Sequence, residues 1–243
     1  MTDTRRNPID NLSHQAYQRI ELAIIRAKLD FGEPISENAL ANALKMSRAP
    51  VRSALSELKQ KGLVEIIPQS GCYVVNPSNE NVEQLLEFRA LLESQALVLA
   101  MQRSPEELIK EMSVLLEQML SAFDRRDWTE CQTKDAAFHR CLFDHADNAF
   151  LTKSYDSLAP LLTALMFRFL QTLAEKNKSY GDHAEILALL ELGKVKAAEK
   201  LLTKHIARTK MTHANQNWPR GRATRKDYEF RNYQEIFQPN DTD

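Results

Sequence analysis

The chain has 243 residues, with 32 Lys and Arg against 33 Asp and Glu and a formal charge of −1. At roughly 150 residues per domain that is one or two domains, each large enough for its own core. No apolar run approaches about 18 residues, the N-terminus MTDTRRNPIDNLSHQ has no apolar signal core, and Cys72, Cys131 and Cys141 form no CxxC pair, which predicts a cytoplasmic chain without membrane span, disulfide framework or thiolate zinc site.

Abundant Leu, Ala, Glu, Lys and Gln beside only six glycines point to helices and exclude an all-β fold. Residues 1–11 read as an N-terminal tail. His14 to Leu29 reads as a first helix, with Tyr17, Ile20, Ile24 and Ala27 on one face. Asp30-Phe31-Gly32-Glu33-Pro34 breaks it. Ser36 caps a short second helix carrying Ala39, Leu40, Ala43 and Leu44, and a turn comes next at Lys45-Met46. Ser47 then caps a third helix, SRAPVRSALSELKQK, which stops at Gly62. Pro50 costs little in its first turn, where the N–H groups have no intrahelical partner.

Val51, Ala54, Leu55 and Leu58 form the inner stripe of that third helix. Arg48 and Arg52, four apart, share its outer face near the N-terminus. Two guanidiniums so placed reach phosphates or fork onto guanine edges when a helix lies in a major groove, with Ser47, Ala49 and Ser53 as small neighbours. An amphipathic helix with solvated arginines has the same pattern. Charge alone does not decide, because residues 1–76 hold 10 Lys and Arg against 8 Asp and Glu, a balance of only +2. The residues C-terminal to the helix favour DNA. Leu63–Ile67 reads as a strand, Pro68-Gln69-Ser70-Gly71 as a turn and Cys72–Val75 as a second strand. Helix, short helix, capped helix and hairpin over residues 12–76 is the order of a winged helix-turn-helix. Ser70 and Gly71 at the hairpin tip lie where main chain approaches a minor groove or the phosphates.

Residues 77–79 read as a linker, with Pro77 ending the first domain and Ser78 or Asn79 capping the next helix. Residues 80–213 carry no strand pattern. Helical stretches run roughly over 79–102, 105–125, 128–146, 148–176, 180–192 and 194–213, an all-α antiparallel bundle. Pro105 opens the second with Glu106 and Glu107 in its first turn, Asn148 caps the fourth, and Gly181 and Gly193 punctuate the last two. Asp135 and His139, four apart, project from one helix face that borders the core through Phe138 and Leu142. His183 opens the fifth helix, and His205 lies on the inner face of the sixth, four after Leu201. Converging, three imidazoles and a carboxylate make a divalent-metal site of zinc, nickel or manganese type; taken singly, a buried hydrogen-bonded side chain is the commoner explanation of each histidine. His14, His145 and His213 show no such pattern. Arg168 reads as a core-edge arginine with its stem packed and its head in water. Residues 214–243 are polar and aromatic by turns, including Trp218, Tyr228, Phe230, Tyr233, Phe237 and Pro239, and read as a tail or a docking arm.

The stretch PISENALANALKMSRAPVRSALSELKQKGLVEIIPQSGCYV resembles the DNA-binding domain of the GntR superfamily of bacterial transcription regulators. Two positions depart from it. Lys45 stands where the family often has a turn glycine, so a left-handed backbone is expected there, and Asn38 stands where many members have a basic or otherwise variable DNA-contacting residue. EFRALLES, KDAAFHRCLFDHADNAFL and DHAEILALLELGKVKAAEKLLTKHIAR resemble the FCD ligand-binding domain of the same regulators, and six helices rather than seven resemble its VanR-type branch. The resemblance implies that Asp135, His139, His183 and His205 hold a metal, zinc first, beside a small carboxylate effector. It implies further that Arg89 faces the effector pocket and that Asn148 stands near it. By spacing alone Arg89 equally pairs with Glu93, four residues on.

The function these readings imply is a homodimeric regulator, in its commoner mode a repressor, whose two third helices enter successive major grooves of a palindromic double-stranded operator. The effector would favour one bundle geometry over another and release DNA. A purely structural metal is the alternative within the same reading. A metal-dependent hydrolase, with Asp135 and the histidines activating water, is disfavoured: no accompanying acid, base or nucleophile motif is present, and the reading head would go unexplained.

Overall fold

The computed structural model of the chain describes residues 8–169, 172–214 and 232–238. Expectations for the first seven residues and for Trp218, Tyr228, Phe230, Pro239 and the His213 side chain lie outside the described residues. The chain divides after Asn76 into two compact units, and the described C-terminal residues 232–238 belong with the first.

The first unit opens with α1 (Pro8–Ile25). The helix starts earlier than its apolar face suggests, with Pro8 at its first position, where a missing N–H costs nothing. It also ends earlier. Ala27 takes a left-handed φ of 55°, and Lys28 N–H closes back on the Ala23 carbonyl at 2.8 Å, so Ala27 sits in the turn and not on the helix face. β1 (Pro34–Ile35) leads to α2 (Glu37–Leu44), which Ser36 caps by accepting from Ala39 N–H at 3.3 Å. Lys45 is left-handed (φ 56°, ψ 41°), as its glycine-like position demands. α3 (Arg48–Gln60) starts three residues later. Its cap residue Ser47 has extended backbone but makes no side-chain cap bond.

Val51, Ala54, Leu55 and Leu58 of α3 are fully buried against Ala16, Ile20 and Ile24 of α1. Each such Leu or Val contributes roughly 1.5–3 kcal/mol. β2 (Val64–Ile67) and β3 (Gly71–Val74) form the hairpin, and β1 joins the free edge of β3, giving the antiparallel order β1-β3-β2 with Pro34 opposite Tyr73. The last described element, α10 (Tyr233–Ile236), returns to this unit. Phe237 is 6% exposed, its carbonyl accepts from Arg19 Nη2 at 2.5 Å, and Tyr233 Oη donates to the Pro34 carbonyl at 3.2 Å. Part of the C-terminal segment is therefore a docked arm.

The second unit is helical throughout its described residues: α4 (Asn79–Arg103), α5 (Pro105–Asp124), α6 (Trp128–Ala146), α7 (Ala149–Phe169), α8 (Leu173–Glu191) and α9 (Val195–Ala214). Local chemistry fixes their ends. Ser78 and Asn81 form a reciprocal capping box on α4, Asp127 caps α6, and Asn148 Oδ1 caps α7 by accepting from Phe150 and Leu151 N–H at 3.2 and 3.1 Å. α6 ends with Asp147 left-handed, while Arg103 Nη1 donates to the Asp147 carbonyl at 2.7 Å. The break between α7 and α8 is not near Gly181, as punctuation by glycine suggests. Thr172 and Glu175 form a second capping box that starts α8, and Gly181 lies inside the helix, where its propensity cost of about 1 kcal/mol is outweighed by packing. His183 consequently sits in the middle of α8 and does not open it. α4 packs against both α6 and α9, and α8 against α5 and α9, so the core lies where α4, α6, α8 and α9 meet.

Candidate functional site

Two groups of side chains separate from the packing. The first lies on α3 and the hairpin. Ser47, Arg48, Ala49, Arg52 and Ser53 are all exposed, as are Asn38 on α2 and Ser70 and Gly71 at the hairpin tip. The inner stripe of α3 packs on α1 and turns the arginine face outward. Both guanidiniums share one carboxylate that spacing along α3 does not reveal: Glu37 Oε2 on α2 accepts from Arg52 Nε and Nη2 at 3.2 and 3.0 Å and lies 3.6 Å from Arg48 Nη2. At this exposure such a pair adds little stability, about 0.2–1 kcal/mol, but it holds two forks side by side. The tip is also held. Ser70 N–H closes a turn on the Ile67 carbonyl at 3.1 Å, Ser70 Oγ lies 3.0 Å from Tyr73 Oη, and Gln69 and Gly71 both have positive φ. Tyr73 thus stiffens the tip from the strand behind it.

The second group is buried in the helical unit. α6 supplies Asp135 and His139, α8 supplies His183 and α9 supplies His205. One nitrogen from each imidazole lies within 4.8 Å of those of the other two, and among the described residues no other group of three such side chains converges in this way. His139 Nε2 is 3.2 Å from His183 Nε2, and Asp135 Oδ1 is 3.6 Å from the same His183 nitrogen. Phe138 closes one side, its ring 4.5 Å from that of His183. Burial, reinforced by the neighbouring imidazoles and Arg89, pushes His183 well below the ordinary imidazole range. Burial, with His139, pushes His205 down to about 3. Both rings are therefore neutral at pH 7, the form that ligates metals. Three converging imidazoles, with the Asp135 carboxylate beside His183, are a donor set that suits zinc, and nickel or manganese next. His183 Nδ1 is buried without a hydrogen-bond partner among the described residues, so the polar contacts of this ring all run through the nitrogen that faces the cluster.

Two carboxylates unmarked by spacing to the histidines complete the cluster. Glu93 on α4 accepts from His139 Nδ1 at 2.7 Å, and Asp182 on α8 lies 3.2 Å from His205 Nδ1. Arg89 does pair with Glu93, Nε to Oε1 at 2.5 Å, and both are buried. Burial pushes the Glu93 carboxyl up, but Arg89 and His139 outweigh it and hold it at about 2. Arg89 also lines a small cavity with Asp135, His139, Tyr155 and Met166, in which the centre of a water molecule can range over about 20 Å³. That is room for about one water. Asn148 is not among the residues lining it; its amide oxygen is committed to capping α7. Arg168 is not a snorkelling arginine either: it is 6% exposed and donates from Nη1 to the Ala164 carbonyl at 2.9 Å. The three cysteines are unpaired, and burial raises the Cys72 and Cys131 thiols to about 12 and 11, so neither is a thiolate at pH 7. Among the described residues no helix is long and apolar enough to cross a membrane.

Comparison with known proteins gives the same division. Residues 12–74 match the bacterial regulatory proteins of the gntR family, and residues 84–208 match the FCD domain. The HTH-type transcriptional regulator LutR of Bacillus subtilis is 30% identical, over 70% of this chain and 86% of its own length. The gluconate operon transcriptional repressor of the same species is 25% identical, over 73% of this chain and 71% of its own length. The HTH-type transcriptional repressor RspR of Escherichia coli is 24% identical, over 84% of this chain and 90% of its own. Among solved structures, a GntR transcriptional regulator from Rhodococcus sp. RHA1 superposes with a TM-score of 0.74 at 21% identity, covering 84% of this chain and 99% of that one. The fold is thus a winged helix-turn-helix followed by a helical FCD domain, and the chain belongs to the GntR family of transcription regulators, whose members are not enzymes.

Proposed function

We propose that the chain is a repressor that binds a palindromic operator as a homodimer and is released by a small carboxylate held beside a divalent metal. The observation that carries the reading is the convergence of three imidazole nitrogens within 4.8 Å beside a cavity lined by a buried arginine. His139, His183 and His205, with Asp135, would hold the metal, and Arg89 would direct an N–H edge at the effector. A bound divalent cation would supply charge, and coordination positions left open for an anion. Two of the three relatives described above are named as repressors, one of them for the gluconate operon, and gluconate is a hydroxy carboxylate. The six helices of the second unit are the ground for assigning it to the VanR-type branch.

On DNA, Arg48 and Arg52 read base edges or phosphates. Ser47, whose hydroxyl is not spent on a cap, Ala49, Ser53 and Asn38 flank them, and Ser70 and Gly71 reach the adjacent backbone or minor groove. A palindrome needs two copies. The α4/α9 groove, about 520 Å³, is lined by Leu86, Ala90, Leu91 and Ala207 together with Glu83, Glu87 and Glu199, a mixed apolar and charged surface of the kind a second copy covers. The effector releases DNA to the extent that it prefers the non-binding arrangement of the dimer.

A second reading is favoured by the cavity's size: a space for about one water suits a purely structural metal. A thermal-shift screen of sugar acids, short hydroxy acids and citrate against metal-loaded and chelated protein separates the two. Carboxylates that stabilise only the loaded form, and that also lower operator affinity, support control by effector. Stabilisation by metal with no response to any carboxylate supports the structural role.

A further inference from the structure

We infer that Glu93 and Asp182 are positioning residues that fix which nitrogens of His139 and His205 carry protons, and that Glu93 ties the aim of His139 to that of Arg89. The inference rests on the metal-site reading for its purpose, but its core claim concerns protons that are observable without metal.

A carboxylate only accepts hydrogen bonds. With Glu93 Oε2 at 2.7 Å and Asp182 Oδ2 at 3.2 Å, the protons of His139 and His205 sit on Nδ1. On neutral rings both Nε2 atoms are then bare lone pairs, as ligation requires. The carboxylates reach across helices, Glu93 from α4 to α6 and Asp182 from α8 to α9, so packing of four helices aims two rings. Both carboxylates are essentially fully buried. Asp182 is held in turn by Lys178 at 3.1 Å and by Arg208.

With His139 neutral, the tautomer of His183 is set by elimination. Its Nε2 is 3.2 Å from His139 Nε2, and one of the two must donate. If His139 is neutral, with its one proton on Nδ1, the donor is His183, whose own Nδ1 is then a bare acceptor. That accounts for the buried Nδ1 without a partner. Ligation by His183 Nε2 moves its proton to Nδ1, while His139 and His205 keep theirs.

Glu93 has a second task that Asp182 lacks. Its other oxygen takes Arg89 Nε at 2.5 Å, which turns Arg89 Nη1 toward Met166 Sδ, a weak acceptor 3.8 Å away on the cavity wall. One carboxylate thus aims a donor edge at the cavity and a lone pair at the cluster.

The test uses full-length protein labelled with ¹⁵N-histidine. Long-range ¹H–¹⁵N correlation of the metal-free wild type should show His139 and His205 protonated on Nδ1 and His183 on Nε2, and Zn²⁺ should move His183 alone. E93Q should disturb the tautomer of His139, and D182N that of His205. Each should weaken Zn²⁺ about 10–100-fold in competition with a chelating dye. With citrate as probe, E93Q should also abolish any wild-type thermal shift, while D182N at saturating Zn²⁺ preserves it. Wild-type His139 protonated on Nε2 would overturn the inference, and that measurement needs no variant to fold. Unchanged tautomers in both variants would overturn it as well. A wild type with the stated tautomers but no Zn²⁺ binding would sink the metal reading and leave the positioning claim standing.

Discussion

Replacing Arg52 by Ala is the sharpest test of the reading head. The side chain is 65% exposed and pairs with Glu37, so its loss removes an exposed ion pair, about 0.2–1 kcal/mol, and leaves the buried face of α3 untouched. The variant should fold with nearly unchanged stability. On DNA the same guanidinium, forked onto a guanine, is worth about 1–3 kcal/mol. The proposed homodimer would lose two, about 2–6 kcal/mol, or roughly 30-fold to about 10⁴-fold in affinity. Fluorescence anisotropy would track binding to a site that the wild type selects from a random duplex pool, with scrambled duplex as control, over a range of salt. A base contact predicts a large loss on the selected site and a small one on the scrambled duplex. A phosphate contact predicts similar losses on both and a shallower salt dependence. Affinity for the selected site within twofold of wild type, in a folded variant, would refute the placement of Arg52 at DNA.

Lys45→Gly should raise stability by about 1 kcal/mol in urea denaturation, because Lys45 is exposed and left-handed at φ 56°, where glycine has no Cβ penalty. Gly181→Ala should add about 0.5–1 kcal/mol and raise Tm, since Gly181 lies inside α8 and an added Cβ meets nothing within 4 Å. In chelator, stability should fall as pH drops from about 6.5 toward 3. His205, at about 3 when folded, stays neutral through that range, and His183 is lowered too, so the unfolded chain binds the extra protons. Glu93, at about 2, adds to the loss below its ordinary value near 4.5. Each such proton contributes a slope of up to about 1.4 kcal/mol per pH unit, and a flat urea midpoint between pH 6.5 and 5 would contradict the neutral, buried imidazoles.

Local signals are legible in the amino-acid order and long-range ones are not. The stripe of α3 and the caps at Ser36 and Asn148 are each decided within about four residues, the span over which one helical turn exchanges hydrogen bonds, whereas the left-handed Lys45 is expected only from the family resemblance. β1 leaves no mark because two residues carry no periodicity; they are a strand only because β3 offers a free edge. Sequence punctuation misplaces the α7/α8 break because glycine is conspicuous and the Thr172–Glu175 box is not. At the buried cluster, Asp135 and His139 share a face by spacing, but their meeting with His183 and His205 depends on three helices. Glu93, visible from spacing only as a partner of Arg89, holds His139 as well, and Glu37 holds the α3 arginines from the helix before.

The docked C-terminal arm bears on how the protein is dissected. A fragment cut at residue 76 would strip Phe237 and Tyr233 from their seats on α1 and beside Pro34, and burial of a phenylalanine alone is worth roughly 1.5–3 kcal/mol. Such a truncated head would be weaker than the one in the intact molecule for reasons unconnected with DNA. A bulky tag fused close behind Gln238 would crowd the same seat, so proteins prepared for comparison should carry their tags at the other terminus.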